Sequence, residues 1–417
     1  MTGAAARRPL AVLVFSQVLS GAGLAAGITV GALLAEDMLG STGLAGVPSA
    51  LFTAGAAVGA AGIGRLSQRR GRRAGLVLGY GAGVLGSLGV VAAAALGSVL
   101  LLFPSLLVYG AGTATNLMAR YAGAELAPPE RRGRAVSTVL FATTLGAVAG
   151  PNLVTATGDL ALAWGVPRLA GPFLLAAAAF GAAAVVLAAL LRPEPPPQPA
   201  APAPAAPAVG PDAPPDGRAV APSPPGPKGG PRRGLLAGTA VMLLTQLVMI
   251  ALMTMTPVHL RAHGHDAQAA GLVIALHVGA MFLPSPLTGR WVDRVGPERV
   301  AAASGVTLLA AGLLAMLTPP HSVAGLAGAL VLLGLGWNFG LVSGTAWVTE
   351  ALPPARRAAS QGLVDVGIAL AGAAGGMASG PVLAAGGFPV LALVCGVLAA
   401  VVVPVAALGA RGAGGAR

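Results

Sequence analysis

Twelve transmembrane helices in two related six-helix bundles form the all-α membrane fold that this sequence predicts. Three observations predict it: an apolar composition, a dozen long apolar blocks divided by a proline-rich segment, and a turn motif that recurs at one fixed distance along the chain.

Of the 417 residues, 55% are hydrophobic and only 9% are charged, with a mean hydropathy of +0.81. Soluble domains carry about 25% charged residues, so a soluble chain of this make-up would expose far too much apolar surface. The net charge of +12 invites comparison with nucleic-acid-binding proteins, but aromatic residues make up only 4%, and the basic residues sit in short clusters between apolar blocks. Those clusters read as topology signals, and no nucleic-acid partner is expected. A single cysteine, Cys395, lies inside an apolar run, so neither a disulfide framework nor a cysteine metal site can be built.

A membrane span needs about 20 apolar residues. Blocks of that kind fall at residues 10–34, 43–65, 75–97, 99–123, 134–157 and 168–191, then at 235–259, 268–289, 299–318, 322–350, 359–382 and 386–410. Arg7 and Arg8 before the first block imitate a signal peptide, but no cleavage site leads into a soluble domain, and the block reads as span one. In hydrocarbon every backbone amide needs an internal partner, and these runs lack the ten-residue alternation of barrel strands, so they are predicted as helices. Residues 192–233 hold 16 of the 35 prolines and cannot build a core. The predicted organisation is therefore a bundle at 1–191, a tether at 192–233 and a second bundle at 234–417.

With the N-terminus inside, 23 of the 25 Lys and Arg residues fall on inward segments, Arg120 among them, leaving Arg168 and Arg261 outside. That bias follows the positive-inside rule and predicts an even number of spans with both termini in the cytoplasm.

The turn after span two reads Gly64-Arg-Leu-Ser-Gln-Arg-Arg-Gly-Arg-Arg73, and that after span eight reads Gly289-Arg-Trp-Val-Asp-Arg-Val-Gly-Pro-Glu298. Gly64, Arg65, Arg69 and Gly71 match Gly289, Arg290, Arg294 and Gly296 at an offset of 225 residues. Glu125-Leu-Ala-Pro-Pro-Glu-Arg-Arg132 and Glu350-Ala-Leu-Pro-Pro-Ala-Arg-Arg357 match at the same offset. A parallel duplication about an axis along the membrane normal follows.

These turns resemble the G-x-x-x-D-R-x-G-R-R signature loop of the major facilitator superfamily of secondary transporters, and span number and tether position agree over essentially the whole chain. The second copy keeps Asp293, whereas the first has Gln68 where the signature has Asp. His277-Val-Gly-Ala-Met-Phe-Leu-Pro-Ser and Gly334-Leu-Gly-Trp-Asn-Phe-Gly340 further resemble a bacterial subgroup whose substrates are mostly unassigned. The resemblance implies that the loops latch the two halves on the cytoplasmic side and release during alternating access. Candidates for that gate are Arg69, Arg72, Asp293 and Arg294 with the turn glycines Gly64, Gly71, Gly289 and Gly296, and with Glu125 and Glu350 as acidic partners. The plainer reading is of positive-inside anchors and helix-end carboxylates.

An ionisable side chain in mid-bilayer costs at least about 2.5 kcal/mol, so Asp365 in span eleven and His277 in span eight stand out. Each is a candidate for proton coupling; Asp365 reads equally as a structural partner of Arg69 or Arg72, and His277 as a packing histidine. Spans one, four, seven and ten line the cavity in the superfamily, which makes Gln17, Asn116, Gln246, Trp337 and Asn338 candidate substrate contacts by resemblance, or else interhelical glue. Gly146, Gly150 and Pro151 in span five partly match the glycine and proline pattern of antiporters and predict a helix bend, echoed by Gly380 and Pro381.

No P-loop, Cys or His metal cluster or nucleophile elbow is present. Neither a metal, a cofactor nor an enzymatic activity is expected. The expectation is a monomeric multi-pass inner-membrane carrier whose partners are the bilayer, a small-molecule solute and, where coupling holds, protons. Efflux is the first reading and import of a nutrient or vitamin the second, with a non-transporting receptor of the same fold as a third.

Overall fold

The computed structural model describes residues 8–23, 34, 38, 46–191, 231–265 and 267–410. Most of the proline-rich tether, the second part of span one and both chain ends lie outside the described residues. Helix α1 covers 8–23, and α2 (Gly46–Ala95), α3 (Val99–Glu125), α4 (Arg132–Asn152), α5 (Val154–Ala163) and α6 (Gly171–Leu190) complete the first half. The second half runs through α7 (Pro231–Ala262), α8 (Ala267–Phe282), α9 (Ser285–Val295), α10 (Pro297–Leu317), α11 (Val323–Ala351), α12 (Arg357–Ala400) and α13 (Val402–Ala410). Helix α7 begins at Pro231, inside the segment expected to be tether, because proline suits the first turn of a helix, where no amide partner is needed.

Among the described residues, eight continuous helical stretches are long and apolar enough to cross a membrane. Two of them are double. Helix α2 reverses at Gly71, with φ 84° and ψ 161°, and α12 at Gly387, with φ 74° and ψ 179°. Each double stretch therefore carries two spans, while α1 and the α4–α5 pair supply the remaining two of the twelve. Spans five and eight are broken where single helices were expected, at Leu153 and at Leu283–Pro284. The first break lies two residues beyond Pro151, where a bend was predicted. At Pro381 the helix continues, and the chain turns only at Gly387.

Gly71 and Gly296 adopt nearly the same backbone conformation, φ 84°, ψ 161° and φ 90°, ψ 154°. Only glycine occupies that region without strain, so the matched glycines of the two turns perform one structural task twice. Both turns lie at one end of the molecule. Glu125 pairs with Arg72 of the first turn, and Gly133, just beyond it in the chain, touches Asp293 of the second. This end, rich in arginine, is called the basic end below.

Each half has its own core. Tyr80, Tyr109, Phe173 and Phe180 anchor that of the first half, and Leu252, Leu330, Leu333 and Leu391 that of the second. The seam is apolar too. Tyr121, Ala124, Val136 and Leu140 of the first half join the second core, and Val366 of the second half packs on Ala60, Ile63, Ala114 and Met118.

Candidate functional site

The first turns of α12 and α4 present backbone amides with no intrahelical partner, at the positive end of the helix dipole. Gln68 Oε1 accepts from the N–H of Ala358 at 3.0 Å and of Ala359 at 3.4 Å. Asp293 does the same for the opposite half, Oδ1 accepting from Gly133 N–H at 2.8 Å and Oδ2 from Arg134 N–H at 3.2 Å. Residues 68 and 293, and the amides they cap, share the 225-residue offset. Each half thus caps a helix of the other, and Gln68 keeps the geometry of the lost aspartate without its charge.

Beneath the caps the helices cross backbone to backbone. A Cβ added at Gly64 would come within 2.9 Å of Ala358 O and Gly362 Cα, and one at Gly289 within 2.3 Å of Ser137 Oγ and 2.5 Å of Gly133 O. Gly64 and Gly289 therefore serve close crossing, whereas Gly71 and Gly296 serve the turn.

Arg72 is buried and grips Glu125 with two bonds, Nε to Oε2 at 2.8 Å and Nη2 to Oε1 at 2.6 Å. It also donates to Gln361 Oε1 across the seam, and Gln361 Nε2 passes the chain on to Thr349 Oγ1 at 3.1 Å. Of the expected gate residues, Arg72, Glu125 and Asp293 are brought together with the glycines. Arg69, Arg294 and Glu350 are exposed and stand outside this chain of bonds, where charged side chains keep their hydration.

Deeper in the seam, Arg120 of α3 and Asp365 of α12 form an ion pair of 2.6 Å with side chains 0% and 6% exposed. Arg120 Nε donates to Thr345 Oγ1 at 2.9 Å, Nη2 to Tyr121 OH at 3.1 Å, and the guanidinium lies 4.3 Å from the centre of the Tyr121 ring. Tyr121 OH donates to Asp365 Oδ1 at 3.4 Å. One of the two readings of Asp365 paired it with Arg69 or Arg72; its partner is Arg120, because α3 faces α12 across the seam while Arg72 is taken by Glu125. Arg120 had been read as an inward topology signal. It lies inside the apolar block 99–123, and the rule that singled out Asp365 applies to it equally.

A turn motif doubled at one offset and closed symmetrically across two six-helix halves has a match among known proteins. The profile of the Major Facilitator Superfamily matches residues 10–266 and, overlapping, 236–412. The chain belongs to the Major Facilitator Superfamily. An MFS-type transporter of Bacillus subtilis (strain 168), YdeG, is 53% identical over 409 residues, covering 96% of this chain and 91% of its own. A riboflavin transporter of Brucella anthropi, RfnT, is 30% identical over 370 residues, covering 87% and 85%. Among solved structures, the human organic anion transporter MFSD10 aligns with a TM-score of 0.76 at 15% identity over 97% of this chain and 100% of its own. The MFS transporter FucP in its outward conformation aligns with a TM-score of 0.71 at 15% identity over 96% and 98%. At such identity the structural likeness concerns the fold.

In this MFS transporter the polar span residues gather within each half. Gln17 Nε2 donates to Tyr80 OH, Thr143 Oγ1 donates to Gln17 Oε1 at 3.1 Å, and Ser20 Oγ donates to Asn116 Oδ1 at 2.7 Å. This buried network joins α1, α2, α3 and α4. Among the described residues Asn116 Nδ2 has no partner. In the second half Trp337 Nε1 donates to Gln246 Oε1 at 2.8 Å. Asn338 spends both amide hydrogens on the break between α8 and α9, donating to Met281 O and Ser285 Oγ at 2.7 Å each, and accepts from Thr288 Oγ1 at 2.6 Å. That helix break exposes backbone and hydroxyl groups that Asn338 satisfies. His277, fully buried, holds Leu330 O through Nδ1 at 2.8 Å, while its Nε2 has no partner among the described residues. A Cβ at Gly146 would fall 2.0 Å from Val18 O, so the span-five glycine lets α4 lie directly on α1. The surroundings of Gly150 and of the Pro151 ring lie outside what the structure describes.

Proposed function

We propose that this transporter is a proton-coupled carrier that exports a small organic solute through the plasma membrane by alternating access, with Asp365 as the proton site. The observation that carries this reading is the Arg120–Asp365 pair, two charges buried in the seam and contributed by opposite halves. Burying a pair is tolerable only while both charges are present; removing one partner leaves an uncompensated charge costing about 3–5 kcal/mol. Protonation of Asp365 leaves the Arg120 guanidinium unpaired, and opening the seam rehydrates it. The caps at Gln68 and Asp293 and the Arg72–Gln361 bond then part as the halves rock, and release of the proton to the newly opened side allows the pair to re-form. His277 lies wholly within the second half, with one ring nitrogen engaged by Leu330 O, which suits a packing role.

The basic end is the cytoplasmic face in this reading, as its arginines favour, with both termini inside. A solute path along the central spans, where the family resemblance places Gln246 and Trp337 and where fixed charge is scarce, suits an amphipathic or moderately hydrophobic solute. Export is supported by the partial antiporter pattern around Gly146. Import of a vitamin-like solute is the second reading, favoured by the riboflavin transporter relative at 30% identity.

Proteoliposomes loaded with a pH dye and given a panel of amphipathic solutes, riboflavin included, test both. Solute-dependent proton movement lost in Asp365→Asn, with downhill exchange retained, is the expected result. Proton movement unaltered in that variant overturns the coupling assignment, and riboflavin uptake into cells rather than extrusion decides for import.

A further inference from the structure

An arginine offers five N–H donors and accepts nothing, whereas a carboxyl group needs donors when ionised and an acceptor for its own proton when neutral. Arg120 spends its five on four residues: Nε on Thr345 Oγ1, Nη1 on Leu117 O and Asp365 Oδ2, and Nη2 on Asp365 Oδ1 and Tyr121 OH. The ionised carboxylate is thus well supplied. A neutral Asp365 finds only donors on the guanidinium. Among the described residues one further group bonds to it, the hydroxyl of Tyr121, 3.4 Å from Oδ1.

Tyr121 is fully buried and, although carried by α3, packs into the core of the second half. Its hydroxyl closes a triangle with the ion pair: Arg120 Nη2 lies 2.6 Å from Asp365 Oδ1 and 3.1 Å from Tyr121 OH. Its ring lies 4.3 Å from the guanidinium, and an aromatic face attracts a cation most strongly where water is excluded. The other charged neighbours stand one turn away. Arg72 of α2 bonds to Gln361, one turn before Asp365 on α12, and to Glu125 of α3. From α11 comes Thr345, already bound to Arg120. Helix α7 also packs on α12, but its titratable residues, Arg232, Arg233, His259 and Arg261, stand at its two ends.

We infer that Tyr121 is the positioning residue of the proton site, its hydroxyl serving Asp365 in both protonation states and its ring holding Arg120 while the pair is broken. The inference rests on the reading of Asp365 as the proton site. With Asp365 ionised, the Tyr121 O–H donates to Oδ1. When a proton binds a lone pair of Oδ1, the new O–H donates to the Tyr121 oxygen, and the phenol keeps its own proton and turns it away. Arg120 then loses its two bonds to a charged acceptor but keeps those to Thr345, Leu117 and Tyr121, with the ring face against it. Removing the hydroxyl takes little from the carboxylate, which retains two N–H donors. It takes from the neutral acid its acceptor, and a buried donor left unsatisfied is costly.

Infrared pH titration of the full-length protein in lipid vesicles, wild type against Asp365→Asn, isolates the protonated-carboxyl band of Asp365. In Tyr121→Phe that band is expected at higher frequency, because its O–H has lost its acceptor, with a midpoint about one pH unit more acid, a tenfold loss of proton affinity. Tyr121→Leu removes the ring as well and is expected to move the midpoint further. A purely structural tyrosine lowers stability and moves neither. A midpoint that stays, or shifts toward alkaline pH, in Tyr121→Phe overturns the inference and leaves Asp365 as the proton site. The absence of any band lost in Asp365→Asn overturns that reading and the inference with it. Should the variants fail to fold, wild type carrying isotope-labelled tyrosine decides, since the chain holds only three tyrosines. A tyrosine C–O band that changes with the Asp365 band supports the inference, and one that stays constant overturns it.

Discussion

The two rims of the seam are built to one plan and differ in charge. At one rim an amide oxygen of Gln68 caps α12; at the other the carboxylate of Asp293 caps α4, with Arg134 Nε 3.6 Å away and half exposed. Geometry survived the duplication at both rims, because the turn glycines and the crossing glycines leave no other way to bring the helices together. Charge survived at only one. A hydrogen bond to an ionised group contributes about 1.5–3 kcal/mol and a neutral one about 0.5–1.5 kcal/mol, so the Gln68 cap is the weaker of the two caps, while Arg72 adds a charged donor to Gln361 beside it.

The largest expected effect tests whether the rims or the buried pair hold the seam. Arg120→Leu or Asp365→Leu alone should lower stability by about 3–5 kcal/mol, and the double variant by clearly less, since it leaves no orphaned charge. Thermal unfolding in detergent measures this; additive losses would mean that the two residues do not act as a pair. Next, Gly71→Ala and Gly296→Ala should each cost about 1–3 kcal/mol, by the same amount within error, because both sit at the same positive φ. Unequal costs would show that the two turns are less alike than their backbones.

Smaller effects sharpen the comparison of the caps. Asp293→Ala should destabilise the state closed at the basic end by about 1 kcal/mol more than Gln68→Ala, read as faster labelling of a cysteine placed in the seam. Smallest of all, Gln68→Asp should restore the charge at the helix end and favour closure by about 0.3–1 kcal/mol. Slower labelling and a slower transport cycle are expected; faster labelling would remove the charge argument.

Much of this architecture was legible in the residues alone. The apolar blocks announce the spans because hydrocarbon admits no unpaired backbone, and the arginine bias announces which ends lie together. The common offset of 225 residues declares the duplication, and Gly71 with Gly296 marks its turns. The candidate site was legible in part. Arg72, Glu125, Asp293 and the glycines belonged to recognisable motifs, but Gln68 read only as a loss, and Arg120 was hidden among basic residues near a helix end.

What the chain determined by itself is everything that depends on local composition and period: helices, turns, the two halves and the rarity of charge within them. What only the tertiary structure decided is partnership across the seam. The bond between Arg120 and Asp365 joins residues 245 positions apart, and no neighbour in sequence records it. The same holds for the caps, the closure of Asn338 on its helix break and the meeting of Tyr121 with Asp365. Each arises because packing two preformed bundles sets which helix ends and side chains share a space, and burial then penalises every polar group left without a partner.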